Sequence, residues 1–199
     1  MIKNIIFDIG NVLSDFCWEK FLEERGFDRA MVERIGRASV WNEDWYEFDK
    51  GVYTDEEVVD LFIENDPEIA DEIHKGFDNV EGMVRLRPRT FPWINDLKKR
   101  GYKVYYLSNF SHKAEIQCPD SVSFIPEMDG GILSYKVKMT KPDPEIYKLL
   151  LKMYDLKAEE CVFIDDTLRN VEAAQKLGIH GIQFKEYEQV FEELEALLA

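Results

Sequence analysis

The sequence contains little cysteine and no long apolar run. Its three cysteines, Cys17, Cys118 and Cys161, are far apart and form no C-x-x-C pair, which argues against a disulfide framework and against a zinc site. No apolar stretch approaches the ~20 residues that a membrane-spanning helix requires. The N-terminus also lacks the charged and apolar regions of a signal peptide. These absences predict a soluble cytoplasmic protein.

Basic residues are scarce relative to acidic ones. The 25 Lys and Arg residues stand against 40 Asp and Glu residues, so the formal net charge is −15. This charge disfavours binding to nucleic acid and to anionic membranes. Residues 14–84 contain 21 of the acidic and only 7 of the basic residues. We therefore predict that residues 14–84 form a compositionally separate segment.

The remaining chain has the alternating pattern of an α/β domain. Apolar runs typical of buried strands end at Asp8, Leu107 and Ile164, and a shorter run covers 181–184. Helical patterns separate these runs. Strands that alternate with helices predict a doubly wound parallel sheet with helices on both faces. We assign 1–13 and 85–199 to this core.

Residues 14–84 carry helical signals and, between 16 and 80, no convincing strand. We expect an all-helical cap inserted after the first strand, and the predicted helices cover 16–25, 30–35, 40–48, 54–62 and 66–77. Thr54 and Glu57 form a capping box, and Gly36 is expected to end the second helix. Four aromatic residues in the third helix could stack on a sugar but are more often core: Trp41, Trp45, Tyr46 and Phe48.

Polar residues follow the three buried strands directly. Ligands bind beyond the carboxyl ends of strands in open α/β sheets, so these residues should meet if the strands are neighbours. They are Asp8, Ser108, Asn109, Asp165 and Asp166, and Lys141 stands just before a predicted helix that begins near Pro144. Three converging carboxylates repel one another and need a cation, and oxygen ligands favour magnesium. Asp8 could then attack a phosphoryl group, with the metal and Lys141 reducing the charge repulsion.

Four ordered motifs resemble those of the haloacid dehalogenase superfamily of hydrolases. They are Asp8-Ile9-Gly10-Asn11-Val12, Leu107-Ser108-Asn109, Lys141-Pro142-Asp143-Pro144 and Ile164-Asp165-Asp166 through Asn170. The helical insertion after the first motif resembles that superfamily's cap, and the fold implied is its Rossmann-like core. The wording of the first and last motifs is most similar to the branch that contains bacterial glucose-1-phosphate phosphatase.

The resemblance implies a role for each matching residue. Asp8 would form an aspartyl-phosphate and bind Mg²⁺ together with the backbone carbonyl of Gly10. Asp166 would bind the metal, and Asp165 would join directly or through water; Asn170 stands where many relatives have a second acid. The phosphate and substrate would be held by Gly10, Asn11, Ser108 and Asn109, and Lys141 would be a catalytic residue that neutralises the charge of Asp8 and of the phosphate. The implied protein is a monomer or weak homodimer that acts on a small phosphorylated substrate such as a sugar phosphate.

Gly10 departs from the family pattern. Phosphatases of the superfamily commonly have an aspartate two residues after the nucleophile, which protonates the leaving group and then activates water. Three carboxyl groups could replace it, although each is more simply explained as a solvated side chain: Asp15, Glu47 and Asp49. A phosphomonoesterase is favoured over two alternatives, which are a dehalogenase or other hydrolase of the superfamily and a catalytically weak protein that binds a phosphorylated ligand.

Overall fold

Five strands form one parallel sheet in the computed structural model, which describes residues 1–199. These strands are β1 (Asn4–Phe7), β4 (Lys103–Ser108), β5 (Gly130–Leu133), β6 (Cys161–Asp165) and β7 (His180–Gln183). Their order across the sheet is β5-β4-β1-β6-β7, and every neighbouring pair is parallel. Two further strands, β2 (Ser14–Phe16) and β3 (Val84–Leu86), form a separate antiparallel pair. The structure confirms the predicted α/β class with a mainly parallel sheet.

Eleven α-helices surround and extend this sheet. They are α1 (Trp18–Glu24), α2 (Arg29–Ala38), α3 (Trp45–Lys50), α4 (Asp55–Asn65), α5 (Ala70–Phe77), α6 (Thr90–Lys99), α7 (His112–Gln117), α8 (Ser134–Val137), α9 (Pro144–Met153), α10 (Leu168–Gln175) and α11 (Tyr187–Leu198). Short 3₁₀ turns connect several of them. Each helix is too short or too polar to span a lipid bilayer.

The central strand β1 is buried on both faces. Ile5 and Phe7 face one cluster of apolar side chains, to which α6 and α11 contribute. Ile6 faces the opposite cluster, to which α9 and α10 contribute. Because successive side chains of a strand point to opposite faces, a continuous apolar run is what a doubly covered strand requires.

Helices α1 to α5 pack around an apolar cluster of their own. Its buried members include Trp18, Phe21, Ile35, Phe62 and Phe77. The side chain of Thr54 accepts a hydrogen bond from the backbone of Glu57, and the Glu57 side chain accepts one from the backbone of Thr54. The predicted capping box is therefore present at the start of α4.

Gly36 does not end α2, contrary to the sequence-based expectation. The helix continues to Ala38, and Gly36 lies against Trp18. A Cβ atom at position 36 would come within 2.6 Å of the Trp18 ring. The glycine therefore permits close helix packing, which a sequence pattern cannot distinguish from a helix stop.

Three strands were not expected from the sequence. Strands β2 and β3 pair at the two ends of the helical segment, where Phe16 lies opposite Val84. Strand β5 begins with Gly130 and Gly131, two residues that disfavour a strand on propensity alone. Tyr106 packs so closely on Gly131 that a Cβ atom there would lie 2.4 Å from its ring. Tertiary packing thus outweighs local propensity at this strand.

Candidate active site

The carboxyl ends of three neighbouring strands bring the predicted polar residues together. Strand β1 lies between β4 and β6, and Phe7 is in register with Tyr106 on one side and Ile164 on the other. Asp8 follows β1 directly, and its backbone N–H donates to the carbonyl of Ile164 (2.8 Å). One carboxylate oxygen from each of three residues lies within 4.8 Å of the other two: Asp8, Asp165 and Asp166.

Lys141 lies inside this cluster and is only 1% exposed. Its Nζ is 2.8 Å from Oδ1 of Asp8 and 2.6 Å from Oδ2 of Asp165. Burial alone would lower the pKa of Lys141, but the carboxylates of Asp165 and Asp8 outweigh burial and raise it. The ammonium group therefore stays charged, and it holds both carboxylates in fixed positions.

Asp8 is 7% exposed and experiences opposing influences. Burial is the largest and raises the pKa of its carboxyl group; Lys141 acts against it, and the nearby Asp165 and Asp166 raise the pKa further. One oxygen, Oδ1, accepts hydrogen bonds from Lys141 and from the backbone N–H of Ile9 (2.7 Å). The group is thus anchored through one oxygen at the edge of the cavities described below.

Asp165 is completely buried, and both of its carboxylate oxygens accept hydrogen bonds. Its Oδ1 accepts from the backbone N–H of Thr167 (2.8 Å), and its Oδ2 accepts from Lys141. The amide Nδ2 of Asn170 contacts both oxygens at 3.1 Å. Asn170 therefore supports Asp165, while its own Oδ1 is buried without a hydrogen-bond partner.

Asp166 is the most accessible of the three carboxylates. Its oxygens accept hydrogen bonds from Nδ2 of Asn11 (3.0 Å) and from the hydroxyl of Thr167 (3.2 Å), both of which are neutral donors. Lys141 is the one ammonium group bonded to the cluster of three carboxylates, so the site keeps an excess of negative charge. An all-oxygen donor set with this excess fits a hard divalent cation such as Mg²⁺.

The predicted substrate-binding asparagines also hold the site together. Asn11 has a left-handed backbone (φ 57°), and its Oδ1 accepts from the backbone N–H of Phe16 (3.1 Å). Asn109 accepts from the backbone N–H of Lys141 (2.7 Å) and donates to its carbonyl (3.0 Å). Ser108 is fully buried at the end of β4, and its hydroxyl donates to the carbonyl of Asn109 (3.4 Å).

Two cavities open onto Asp8 between the sheet edge and the helical segment. One, of about 180 Å³, is lined on its apolar side by Phe16, Trp45, Phe48, Val80, Met83, Val84, Phe110 and Ala114. Gly10 lines this cavity, and a Cβ atom built there has no neighbour within 4 Å. The other cavity, of about 410 Å³, is more polar and is lined by residues that include Asn42, Glu43, Lys141, Arg169 and Asn170.

The aromatic residues of 40–48 lie both in the core of the helical segment and at the cavities, and their stacking on a sugar stays a prediction. Phe48 is buried in the helical cluster, and Trp45 stacks on Phe62 with ring centroids 5.9 Å apart. Trp45 nevertheless lines both cavities, and Trp41 and Tyr46 line the polar one.

Sequence reasoning missed two residues that face the cavities. Thr167 holds Asp165 and Asp166 as described, and Arg169 is exposed at the polar cavity, where its guanidinium lies 5.1 Å from the centroid of the Tyr46 ring. Both belong to the segment between Asp166 and Asn170. Because both lie inside the last motif, the sequence itself indicated that they could be close to the site.

The structure separates the three carboxyl groups considered as replacements for an acid at position 10. Asp15 pairs with Arg87 (2.6 Å), and Glu47 pairs with Lys50 (2.7 Å). Asp49 is 8% exposed and lines both cavities together with Asp8. Burial raises the pKa of Asp49 to about 7, with a further contribution from the negative charge of Asp8.

The fold and site together define an α/β protein whose parallel sheet carries a carboxylate and a buried lysine at its carboxyl edge. The model of the haloacid dehalogenase-like hydrolases matches residues 2–178, and the chain belongs to that family. A sesquiterpene phosphatase of Aspergillus oryzae is 30% identical over 90% of this chain and 88% of its own length. The D-ribitol-5-phosphate phosphatase of Bacteroides thetaiotaomicron is 26% identical, with 92% of each chain covered.

Solved structures show the same fold. A haloacid dehalogenase family enzyme of Bacteroides thetaiotaomicron, in complex with magnesium and inorganic phosphate, superposes with a TM-score of 0.70 at 23% identity, covering 96% of this chain and 100% of that one. Other relatives are longer: the chain spans 36% of a drimenol cyclase of Aspergillus calidoustus. The predicted superfamily, enzyme class and Rossmann-like core are confirmed. The resemblance to the glucose-1-phosphate phosphatase branch stays a prediction.

Proposed function

We propose that this protein is a magnesium-dependent phosphomonoesterase in which Asp8 attacks phosphorus and forms an aspartyl-phosphate. The observation that carries the proposal is the position of Asp8 between the buried Lys141 ammonium and the open cavities. Two of the relatives are phosphatases, which supports phosphate-ester hydrolysis as the reaction class. The same helical segment, residues 14–84, is proposed to act as a cap that covers the substrate.

Asp8 has the surroundings that a carboxylate nucleophile requires. Lys141 and the backbone N–H of Ile9 both bind Oδ1, so they orient the group and leave Oδ2 for attack. Asn109 fixes the backbone of Lys141 through two hydrogen bonds. We infer that Asn109 acts mainly by positioning Lys141, and that Ser108 and Asn11 shape the phosphate site from either side.

Asp8 and Asp166 are the proposed carboxylate ligands of Mg²⁺, together with the backbone carbonyl of Gly10. Bound Mg²⁺ would offset the negative charge of the phosphoryl group and of Asp8. Asp165 already receives hydrogen bonds from three residues, so we place it beside the metal site as the support of Lys141. Direct ligation by Asp165 would require it to lose one of these donors.

The substrate is proposed to be a small phosphorylated metabolite such as a sugar phosphate. The polar cavity offers amide, carboxylate and guanidinium groups beside the aromatic rings of Trp41 and Tyr46, a combination suited to a hydroxylated ring. A second candidate is the monophosphate of an apolar alcohol, because half of the residues lining the smaller cavity are hydrophobic. The sesquiterpene phosphatase relative favours the same alternative.

The test is phosphate release from a panel of monophosphates with Mg²⁺ and with excess EDTA. The panel contains glucose 1-phosphate, ribitol 5-phosphate, farnesyl phosphate and para-nitrophenyl phosphate. We expect Mg²⁺-dependent release, and acid quenching followed by mass spectrometry should find one phosphoryl group on Asp8. Tight binding without release would favour the non-catalytic alternative, and halide release from a 2-haloacid would favour a dehalogenase.

A further inference from the structure

A departing alcohol needs a proton, and the cavities contain few groups that can supply one. An alkoxide that leaves without a proton is a poor leaving group, and general acid catalysis is worth about 10²–10⁴-fold. Five acidic or basic residues besides Asp49 line the cavities. Asp8 is the proposed nucleophile, and the guanidinium of Arg169 does not give up its proton. Lys141 and Asp166 are engaged by the hydrogen bonds described above, and Glu43 is exposed to solvent. Asp49 is the remaining carboxyl group.

The surroundings of Asp49 distinguish it from its neighbours. Its side chain is buried without a salt bridge, whereas Glu47, two residues earlier on α3, pairs with Lys50. Burying an unpaired carboxylate is costly, so burial favours the protonated form of Asp49. A carboxyl group that is neutral near pH 7 can donate a proton and, once ionised, can accept one.

Hydrogen bonds to the core fix the backbone at and beside Asp49. The hydroxyl of Ser134 donates to the backbone carbonyl of Asp49 (2.6 Å) and accepts from the backbone N–H of Phe110 (2.9 Å). Gly51 directly follows α3, and its backbone carbonyl accepts a hydrogen bond from the ammonium group of Lys138. These bonds tie the end of α3 to the loop after β4 and to the start of α8, so the helical segment presents Asp49 to the cavities at a defined position.

From this placement we propose that Asp49 is the general acid and base of the reaction at Asp8. The inference rests on the proposed function. In the first step Asp8 forms a bond to phosphorus, the bond from phosphorus to the leaving oxygen breaks, and that oxygen takes the proton of Asp49. In the second step the Asp49 carboxylate takes a proton from water, the water oxygen bonds to phosphorus, and the bond to Asp8 breaks. Inorganic phosphate leaves, and both residues return to their initial states.

The test compares two compounds of similar shape whose leaving groups differ. Para-nitrophenolate leaves readily without a proton, whereas the benzyl alkoxide of benzyl phosphate does not. In Asp49→Asn we expect kcat/KM for benzyl phosphate to fall by about 10²-fold or more, and that for para-nitrophenyl phosphate by less than about 10-fold. Because the second step also loses its base, kcat for para-nitrophenyl phosphate should fall and phosphorylated Asp8 should accumulate after a burst of nitrophenol.

Two further variants keep the test decisive. Glu47→Gln, on the same helix, should leave both kcat/KM values within about 2-fold, because Glu47 belongs to a surface pair. Gly10→Asp in the Asp49→Asn background should recover benzyl phosphate turnover, since position 10 lines the same cavity and has open space beside it. Asp49→Ala serves the same purpose if the asparagine variant does not fold.

Equal loss on both compounds without accumulation of the phosphorylated enzyme would overturn the role of Asp49 and leave the proposed function intact. If wild-type protein forms no aspartyl-phosphate with either compound, the proposed function itself fails, and the role of Asp49 with it. The two failures are therefore distinguishable by whether Asp8 becomes phosphorylated.

Discussion

The candidate site lies between the sheet edge of the core and residues 14–84, and these two sides differ in the side chains that they contribute. On the core side, Asp8, Asp165 and Lys141 are joined by short ion pairs, and Asn109 and Asn170 support them. On the side of residues 14–84, the lining of the smaller cavity is mostly apolar, and the one buried carboxyl group of this segment has no charged partner. Under the proposed function, the core would fix the charges around phosphorus, whereas the helical segment would supply an apolar surface and, through Asp49, a proton.

The largest difference should come from removing the nucleophile. Asp8→Asn should lower kcat by about 10⁴-fold or more, because an amide cannot form the phosphoenzyme. Thermal stability should stay close to wild type, since Lys141 keeps its ion pair with Asp165. Phosphate release and thermal unfolding would be measured on the same preparations. Retention of more than a tenth of the activity would contradict a covalent mechanism at Asp8.

Breaking the core ion pairs should affect stability strongly. Lys141→Met leaves two buried carboxylates without their cation and should lower the free energy of unfolding by about 3–5 kcal/mol at pH 8. Lys50→Met is the matched control in the helical segment; its partner Glu47 is partly exposed, so the loss should stay below about 1 kcal/mol. Urea unfolding of both variants provides the measurement. Similar losses would mean that the core pairing contributes no more than a surface pair.

Substituting a proposed metal ligand should weaken Mg²⁺ binding more than substituting a residue that only supports the site. Asp166→Ala should weaken Mg²⁺ binding by about 100-fold or more, whereas Asn170→Ala, which acts through Asp165, should weaken it by about 10-fold. Calorimetric titration of Mg²⁺ into each purified protein measures both effects. If the two losses are equal, the unpaired Oδ1 of Asn170 is itself a ligand and the proposed assignment is wrong.

The smallest expected effect is a gain of stability in the helical segment. The pKa of Asp49 is about 7 in the folded protein, against an ordinary value of 3.8. Below about pH 3 the group is protonated in both states; as the pH rises from there to 7 the unfolded chain ionises first, so wild-type stability falls. Asp49→Asn lacks this loss and should be more stable than wild type by about 1–4 kcal/mol at pH 8.

Urea unfolding without added metal, at pH 4.5 and pH 8, measures this difference. At the lower pH the gain should fall to about a quarter of its value at pH 8, because the unfolded carboxyl group is already mostly ionised there. Glu47→Gln should change stability by less than about 0.5 kcal/mol at either pH. A variant that is less stable than wild type at pH 8 would show that the Asp49 carboxylate stabilises the fold. The carboxyl group would then not be the neutral proton donor proposed above.

The sequence by itself determined the α/β class and which polar residues lie at the carboxyl edge of the sheet. Parallel strands that are buried on both faces appear as continuous apolar runs, and their carboxyl ends must lie on one edge, so Asp8, Asn109 and Asp165 were predicted to meet. The local capping pattern at Thr54 was equally informative, because its hydrogen bonds join residues three apart.

Only the tertiary structure decided which carboxyl group of the helical segment faces the site. Asp15, Glu47 and Asp49 are equivalent as acidic residues in one sequence segment, but ion pairs occupy the first two and the end of α3 is hydrogen-bonded to the core. Strand β5 could not be predicted from the sequence for a related reason. Gly131 has a low strand propensity, but it pairs with Tyr106 in the sheet and packs closely against its ring. Both outcomes depend on contacts between residues that are distant in sequence, whose energies no local pattern contains.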